Sequence, residues 1–300
     1  MADRPPVVIE AAINGVTGKD RNPNVPRSPA EIADDALACM AAGAAIVHNH
    51  IDEVGLSGQE AAERYLECWR PVLEERPDAL LYPTVNAGAD VEASYSHIAP
   101  LAESGALRIG LADLGSVNFG GVEPDGVPAA PGFVYTNSFG DIHHELGLCA
   151  EHQLGPSLAV FEPGFVRAIL AWWQAGRMPP GAMVKLYFSG DRGYLGAAFG
   201  LPPTELSLDA YLAMLDGCDL PWSASVFGGD VVGSGIARLA VERGGHLHLG
   251  LEAFAADGRQ PTNVELVEEA VALCEELGRP VATPDEAAGL LGLPRAKVTL

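Results

Sequence analysis

Along this chain, short apolar runs alternate with longer stretches in which apolar residues recur every three or four positions. The first kind marks buried strands and the second marks amphipathic helices. Residues 7–13 form the first strand-like run. After a loop containing glycine and proline, Ser28-Pro29-Ala30-Glu31 opens a helix. Serine and glutamate there make a capping box, with proline at the first helical position. Residues 44–50, 80–85, 107–111, 158–161, 184–188, 221–226 and 246–249 read as further strands. Helices are predicted at 28–43, 59–75, 94–103, 141–153, 165–175, 207–216, 231–242 and 263–277, with a short one at 284–291. The glycine- and proline-rich stretch 115–131 reads as a loop.

Eight β-then-α units in 300 residues predict an α/β protein. The expected architecture is a (β/α)8 TIM barrel, one domain over residues 1–300 closed by a short extra C-terminal helix. An open doubly wound sheet would share the alternation. Its GxGxxG signature after the first strand is missing, since Asn14-Gly15-Val16-Thr17-Gly18 does not fit.

Nearly half of the residues are apolar (48%), enough for a sizeable core. A formal charge of −22 argues against a nucleic-acid surface and against docking on anionic membranes. The five cysteines, Cys39, Cys68, Cys149, Cys218 and Cys274, are scattered without a CxxC pair, which suits a reducing compartment. Met1 to Pro6 shows no signal-peptide pattern, and no apolar run reaches spanning length. A cytoplasmic location is expected.

The chemistry concentrates in Ile46-Val47-His48-Asn49-His50. In a strand, positions i and i+2 share a face, so His48 and His50 project together. They lie at a strand's carboxyl end, where α/β proteins keep their chemistry. Two imidazoles there either grip a transition metal or are hydrogen-bonded core residues. Barrel closure sharpens the question, because it sets the last strand beside the first, and the first beside the second. That rim collects His48, His50, Glu10, His246, His248 and Glu252. Two histidines with one carboxylate would leave coordination positions open, a catalytic pattern. Glu252 could instead cap the next segment or pair with an arginine.

The chain resembles the β-keto acid cleavage enzymes, a family that includes enzymes cleaving 3-keto-5-aminohexanoate. The likeness runs through Ile13-Asn14-Gly15, Asn22-Pro23-Asn24-Val25-Pro26 and residues 42–50. It continues in Gly115-Ser116-Val117-Asn118-Phe119-Gly120, Val160-Phe161-Glu162-Pro163-Gly164, Gly244-Gly245-His246 with Gly250-Leu251-Glu252, and the 262–267 and 277–284 segments. The resemblance implies a zinc-bearing barrel, usually a homotetramer, that condenses a β-keto acid with acetyl-CoA to give an acyl-CoA and acetoacetate. It places the metal ligands on His48, His50 and Glu252. Another divalent transition metal would suit the same donors.

Two positions depart from that family. An arginine usually stands four residues before the ligand glutamate and an aspartate directly after it; here they are His248 and Ala253. Imidazole cannot reproduce a guanidinium's bidentate clamp, and alanine carries no proton. His248 is therefore expected to serve as base or anion contact, with a third metal-bound imidazole as the competing role. Glu10 is a second acid–base candidate, unless it pairs with a buried cation. Thr84, Asn86 and Ser116, at or beyond strand ends, are candidate substrate contacts. Relatives that take an amino-substituted substrate carry a glutamate after the first strand. Gly15-Val16-Thr17 offers none, so poor use of 3-keto-5-aminohexanoate is expected. The departures keep two alternatives open: a metal-dependent lyase or hydrolase independent of coenzyme A, and a catalytically weak carboxylate-binding protein.

Overall fold

The computed structural model describes residues 4–53 and 55–294. Residues 1–3, part of the N-terminal reading, and Val54, in the loop after the second strand, lie outside the described residues. The eight barrel strands are β1 (Ile9–Ala12), β2 (Ile46–His48), β3 (Leu80–Tyr82), β4 (Ile109–Leu111), β7 (Gly155–Val160), β8 (Met183–Ser189), β9 (Trp222–Phe227) and β10 (His246–Leu249). Between β4 and β7 comes an antiparallel hairpin of β5 (Val117–Phe119) and β6 (Phe133–Tyr135).

All the paired barrel strands run parallel, in the order β3-β2-β1-β10-β9-β8-β7-β4. β3 and β4 stand at the two ends of this order, without ladder pairing among the described residues, so the barrel is nearly closed. The expected adjacency of last, first and second strands is present: Glu10 pairs with His248 and with Ile46, and Ala12 pairs with His48.

The outer helices are α1 (Pro29–Ala42), α2 (Gly58–Glu75), α3 (Val91–Ser94), α4 (Ile98–Glu103), α5 (Phe139–His152), α6 (Pro163–Gln174), α7 (Glu205–Met214), α8 (Ile236–Glu242), α9 (Asn263–Glu276) and α10 (Pro284–Leu291). The capping box at α1 forms as the sequence implies, with Ser28 accepting from the Glu31 amide and Pro29 at the helix start. Thr262 with Glu265 and Thr283 with Glu286 repeat the device at α9 and α10.

Three sequence expectations need correction. The stretch 115–131 is not all loop, because Val117–Phe119 is one arm of the β5–β6 hairpin. Its buried–exposed–buried pattern is too short to stand out among glycines and prolines. The predicted helix 94–103 is broken into α3 and α4. The helix expected from 231 begins only at Ile236. Asp230 accepts from the amides of Val232 and Gly233, and Gly235 has a φ of 84°, so the intervening residues turn instead.

The outer faces of the barrel strands are apolar, as sheets covered by helices require. The interior is unusually polar: Glu10, His48, Lys185, Ser223, Ser225, His246 and His248 are all buried. One side chain ties the outer shell to the rim at the carboxyl ends of the strands. Asn263, at the start of α9, accepts from the Leu251 amide and donates to Ile13 O and to Asp35 Oδ2. Asn263→Ala would leave two buried backbone groups unpaired. It is expected to lower unfolding stability in urea by about 2 kcal/mol or more. A loss below about 0.5 kcal/mol, the range of neutral surface changes, would contradict this role.

Candidate metal centre

Strand alternation decides which way β2 presents its imidazoles. Asn49 faces outward, where its Oδ1 accepts from Trp69 Nε1 of α2 at 2.8 Å. His48 and His50 therefore face the barrel interior. The backbone of His50 is clamped by Asn14, whose Oδ1 accepts from the His50 amide (2.8 Å) and whose Nδ2 donates to His50 O (3.0 Å).

Glu252 arrives from the turn after β10. Gly250 has a φ of 132°, and a Cβ there would stand 2.2 Å from Ala12 O. Only glycine lets the chain cross β1 this closely. The Glu252 amide then donates to Ala12 O at 3.1 Å, and Thr17 Oγ1 donates to Leu251 O at 3.0 Å. Gly15, with φ 53°, packs against the carboxylate's own stem. A Cβ at that position would lie 2.4 Å from Glu252 Cγ.

His48, His50 and Glu252 thus offer ligand atoms all within 4.8 Å of one another. His48 Nε2 is 3.4 Å from Glu252 Oε2, and His50 Nε2 is 3.3 Å from Glu252 Oε1. Charge-assisted hydrogen bonds close to about 2.7–2.9 Å, so these are poor hydrogen bonds. Two ligands on a tetrahedral ion with bonds of about 2.05 Å stand about 3.3–3.4 Å apart, which matches. His50 Nε2 and Glu252 Oε2 are buried without hydrogen-bond partners. Burial lowers the His48 imidazole to about 3, leaving it neutral. Burial pushes the Glu252 carboxyl up, but the imidazoles of His48 and His50 outweigh it and hold it at about 2. Two imidazole nitrogens and a carboxylate form a donor set suited to a divalent cation with open positions.

One layer deeper lies a network that sequence reasoning missed in part. Lys185, fully buried on β8, donates to Glu10 Oε1 and to Tyr82 Oη, each at 2.5 Å. Tyr82 also donates to Glu10 Oε1. Glu10 therefore pairs with a buried cation, the alternative left open by the sequence. Burial raises the Glu10 carboxyl, but Lys185 and His248 carry it below its ordinary value. His248 Nε2 lies 3.4 Å from Glu10 Oε1 and 3.5 Å from Tyr187 Oη, and its Nδ1 lies 3.0 Å from Ser225 Oγ. His248 stands outside the cluster of three prospective ligands. The signal for Lys185 was a lone lysine inside the apolar run Met183–Ser189; lysine is almost never buried unless paired.

The other candidates are spread around the rim. The Thr84 carbonyl lies 2.9 Å from His97 Nε2. Asn86 Nδ2 donates to Leu56 O, while its Oδ1 is buried without a partner. The Ser116 hydroxyl is engaged with Asn137, donating to its carbonyl and accepting from its amide. An aromatic wall faces the rim: Phe119 of the hairpin, Phe161, Tyr187, Phe199 and Phe227 are buried and packed on one another.

With this geometry in place, likeness to known proteins is informative. Residues 6–293 match the family described as beta-keto acid cleavage enzyme. The chain belongs to that family. It is thereby an enzyme of the class that breaks a carbon–carbon bond with acyl transfer. The 3-keto-5-aminohexanoate cleavage enzyme of Acetoanaerobium sticklandii is 28% identical over 298 residues, covering 96% of this chain and 99% of that one. The 3-oxoadipate:acetyl-CoA acetyltransferase of Cupriavidus necator is 28% identical over 301 residues, covering 98% of this chain and 97% of that one. Among solved structures, apo ObcA superposes with a TM-score of 0.66 at 15% identity. It covers 90% of this chain, which spans 66% of the ObcA chain. That likeness establishes the barrel fold.

A second acidic cluster sits at the end of β4. Tyr135 donates to Asp113 Oδ2 at 2.6 Å, and the Asp113 amide donates to Glu145 Oε2 at 2.8 Å. Burial, then the Asp113 charge, push the Glu145 carboxyl up to about 9. The folded state therefore holds a proton that the unfolded chain has already lost above the model-peptide value. The stability contributed by Glu145 therefore falls as pH rises from about 4.5 towards 9. Glu145→Gln is expected to flatten the decline between pH 7 and 9, measured by urea unfolding; parallel slopes in both proteins would refute the assignment. At the metal centre, Gly15→Ala is expected to drive Glu252 away from the imidazoles. Zinc affinity, measured by chelator competition, should drop at least tenfold with the circular dichroism spectrum unchanged.

Proposed function

We propose that this enzyme is a zinc-dependent β-keto acid cleavage enzyme that condenses a β-keto acid with acetyl-CoA, yielding an acyl-CoA and acetoacetate. The observation that carries the reading is the His48–His50–Glu252 cluster, with its ion-sized spacing and its unpartnered buried atoms. Acetyl-CoA is carried over from the name of the Cupriavidus relative. A divalent cation held there supplies Lewis acidity to the keto and carboxylate oxygens of such a substrate.

The chain's own residues divide the remaining work. Glu252 stays ionised and His48 stays neutral, so both are ready to ligate without prior proton movement. His248 is the proton-handling group: a buried imidazole braced at Nδ1 by Ser225, whose Nε2, faced only loosely by Glu10 Oε1 at 3.4 Å and Tyr187 Oη at 3.5 Å, is the atom that exchanges the proton. Glu10 is tied to Lys185 and Tyr82, so it acts by stabilising charge on His248 rather than by taking the substrate proton. Of the three polar candidates, Asn86 keeps a free Oδ1, whereas Ser116 would first have to release Asn137; Thr84 is the third.

The acyl group is neutral. Gly15 is packed on Glu252 and the Thr17 hydroxyl is engaged with Leu251 O, so no carboxylate waits there for an ammonium. The facing wall is aromatic.

Purified enzyme, incubated with a panel of β-keto acids with and without acetyl-CoA and followed by mass spectrometry, tests this. A new acyl-CoA with acetoacetate is expected from neutral keto acids. Removal of metal by a chelator should abolish the activity and added zinc should restore it. Products formed equally without acetyl-CoA would replace the reading with a coenzyme-independent lyase. Comparable turnover of 3-keto-5-aminohexanoate would sink the neutral-substrate assignment.

A further inference from the structure

A histidine that ligates a metal usually has its second ring nitrogen hydrogen-bonded, which fixes the plane of the ring. His48 lacks this: its Nδ1 is buried with no partner. Something else must hold the ring. Its close neighbour is Tyr82, stacked on it with centroids 4.4 Å apart and planes 28° from parallel. The two residues are also register partners on β2 and β3. Tyr82 is in turn held at its far end, by Lys185 Nζ at 2.5 Å and by a hydrogen bond into Glu10. The ammonium also lies 4.4 Å from the centre of the Tyr82 ring. At His50 the backbone is pinned on both sides by Asn14.

Resting on the metal-site reading above, we propose that Lys185 is a positioning residue for the metal centre: with Glu10 it anchors the Tyr82 phenol, and the Tyr82 ring sets the orientation of His48. The arrangement is a relay of contacts across four strands, from β8 through β1 and β3 to β2. A buried ion pair is a poor source of stability compared with apolar filling, so stability alone gives no account of a lysine and a glutamate inside the barrel. A fixed Tyr82 does. Lys185 needs no contact with substrate for this role.

The test uses full-length protein and cobalt(II) alone as the probe, with affinity from chelator competition and ligand-field absorption as the signature of ligand geometry. Lys185→Met is expected to weaken cobalt binding at least tenfold and to shift the visible band. Lys185→Met leaves Glu10 buried without its cation and could fail to fold. Glu10→Gln with Lys185→Met leaves no lone charge, and it should fold with at least fivefold weaker binding and the same spectral shift. Tyr82→Phe keeps the ring but frees it from its anchor, and should shift the band with a smaller loss of affinity. Wild-type affinity and spectrum in the folded double variant and in Tyr82→Phe would overturn the proposal, even if melting temperatures fell. A wild-type chain that takes up no cobalt would overturn both this inference and the metal-site reading. Wild-type uptake with indifferent variants would overturn this inference alone.

Discussion

The register of β10 against β1 and of β1 against β2 is the constraint from which the rest of the site follows. Glu10 stands beside His248 and Ala12 stands beside His48. Side chains on a strand alternate strictly, so a slip of one residue would turn every one of them to the other face. Asn49 would then enter the barrel, and both imidazoles would be pressed against the helices. The contacts that prevent this slip are polar and local. Asn14 grips the backbone of His50, Asn263 bridges Ile13 to Leu251, and the amide of Glu252 caps Ala12 O. The same three contacts also deliver Glu252 to the imidazoles, so register and site are one problem with one solution.

The barrel interior is organised as two charge layers with different balances. In the upper one, Glu252 faces the imidazoles of His48 and His50, with no lysine or arginine in direct contact among the described residues. In the lower one, Glu10 is matched by Lys185 and closed by Tyr82. The two layers meet at the stacked rings of His48 and Tyr82. This division explains how a chain with a net charge of −22 can bury two carboxylates so near each other. Lys185 supplies the positive charge for Glu10, the proposed cation would supply it for Glu252, and His248 stands between the lower layer and the aromatic wall.

Much of this was legible in the sequence, for identifiable reasons. The alternation of apolar runs with helical periodicity gave the barrel, because eight units leave few other closed arrangements. The pair His48 and His50 was legible because two-residue spacing has one meaning in a strand. Glu252 followed from closure, which sets the last strand beside the first. Lys185 escaped because its partners come from strands distant in sequence, and no local spacing marks a cross-barrel contact. The β5–β6 hairpin escaped because three-residue strands carry too little periodicity to be seen. The role of Glu10 was left open for the same reason as Lys185: its partner was the missing piece.

The loop after β1 shows how one structural demand can set chemical preference. Gly15 lies so close to Glu252 that no side chain fits there, and Thr17 is committed to Leu251 O. Val16, the remaining residue, is half exposed and apolar. A segment used to seat the carboxylate therefore has no group left with which to recognise a charged amine. The facing surface, from Phe119 through Phe161 to Phe227, offers ring faces and edges, and its Tyr187 hydroxyl is turned to His248. A substrate with a charged acyl end would lose its hydration there and gain no partner, a penalty of several kcal/mol for an unpaired buried charge. A neutral acyl end would lose little and gain contact with the rings. The proposed preference for a neutral acyl end would thus arise from the space the carboxylate needs and from the material of the opposite wall.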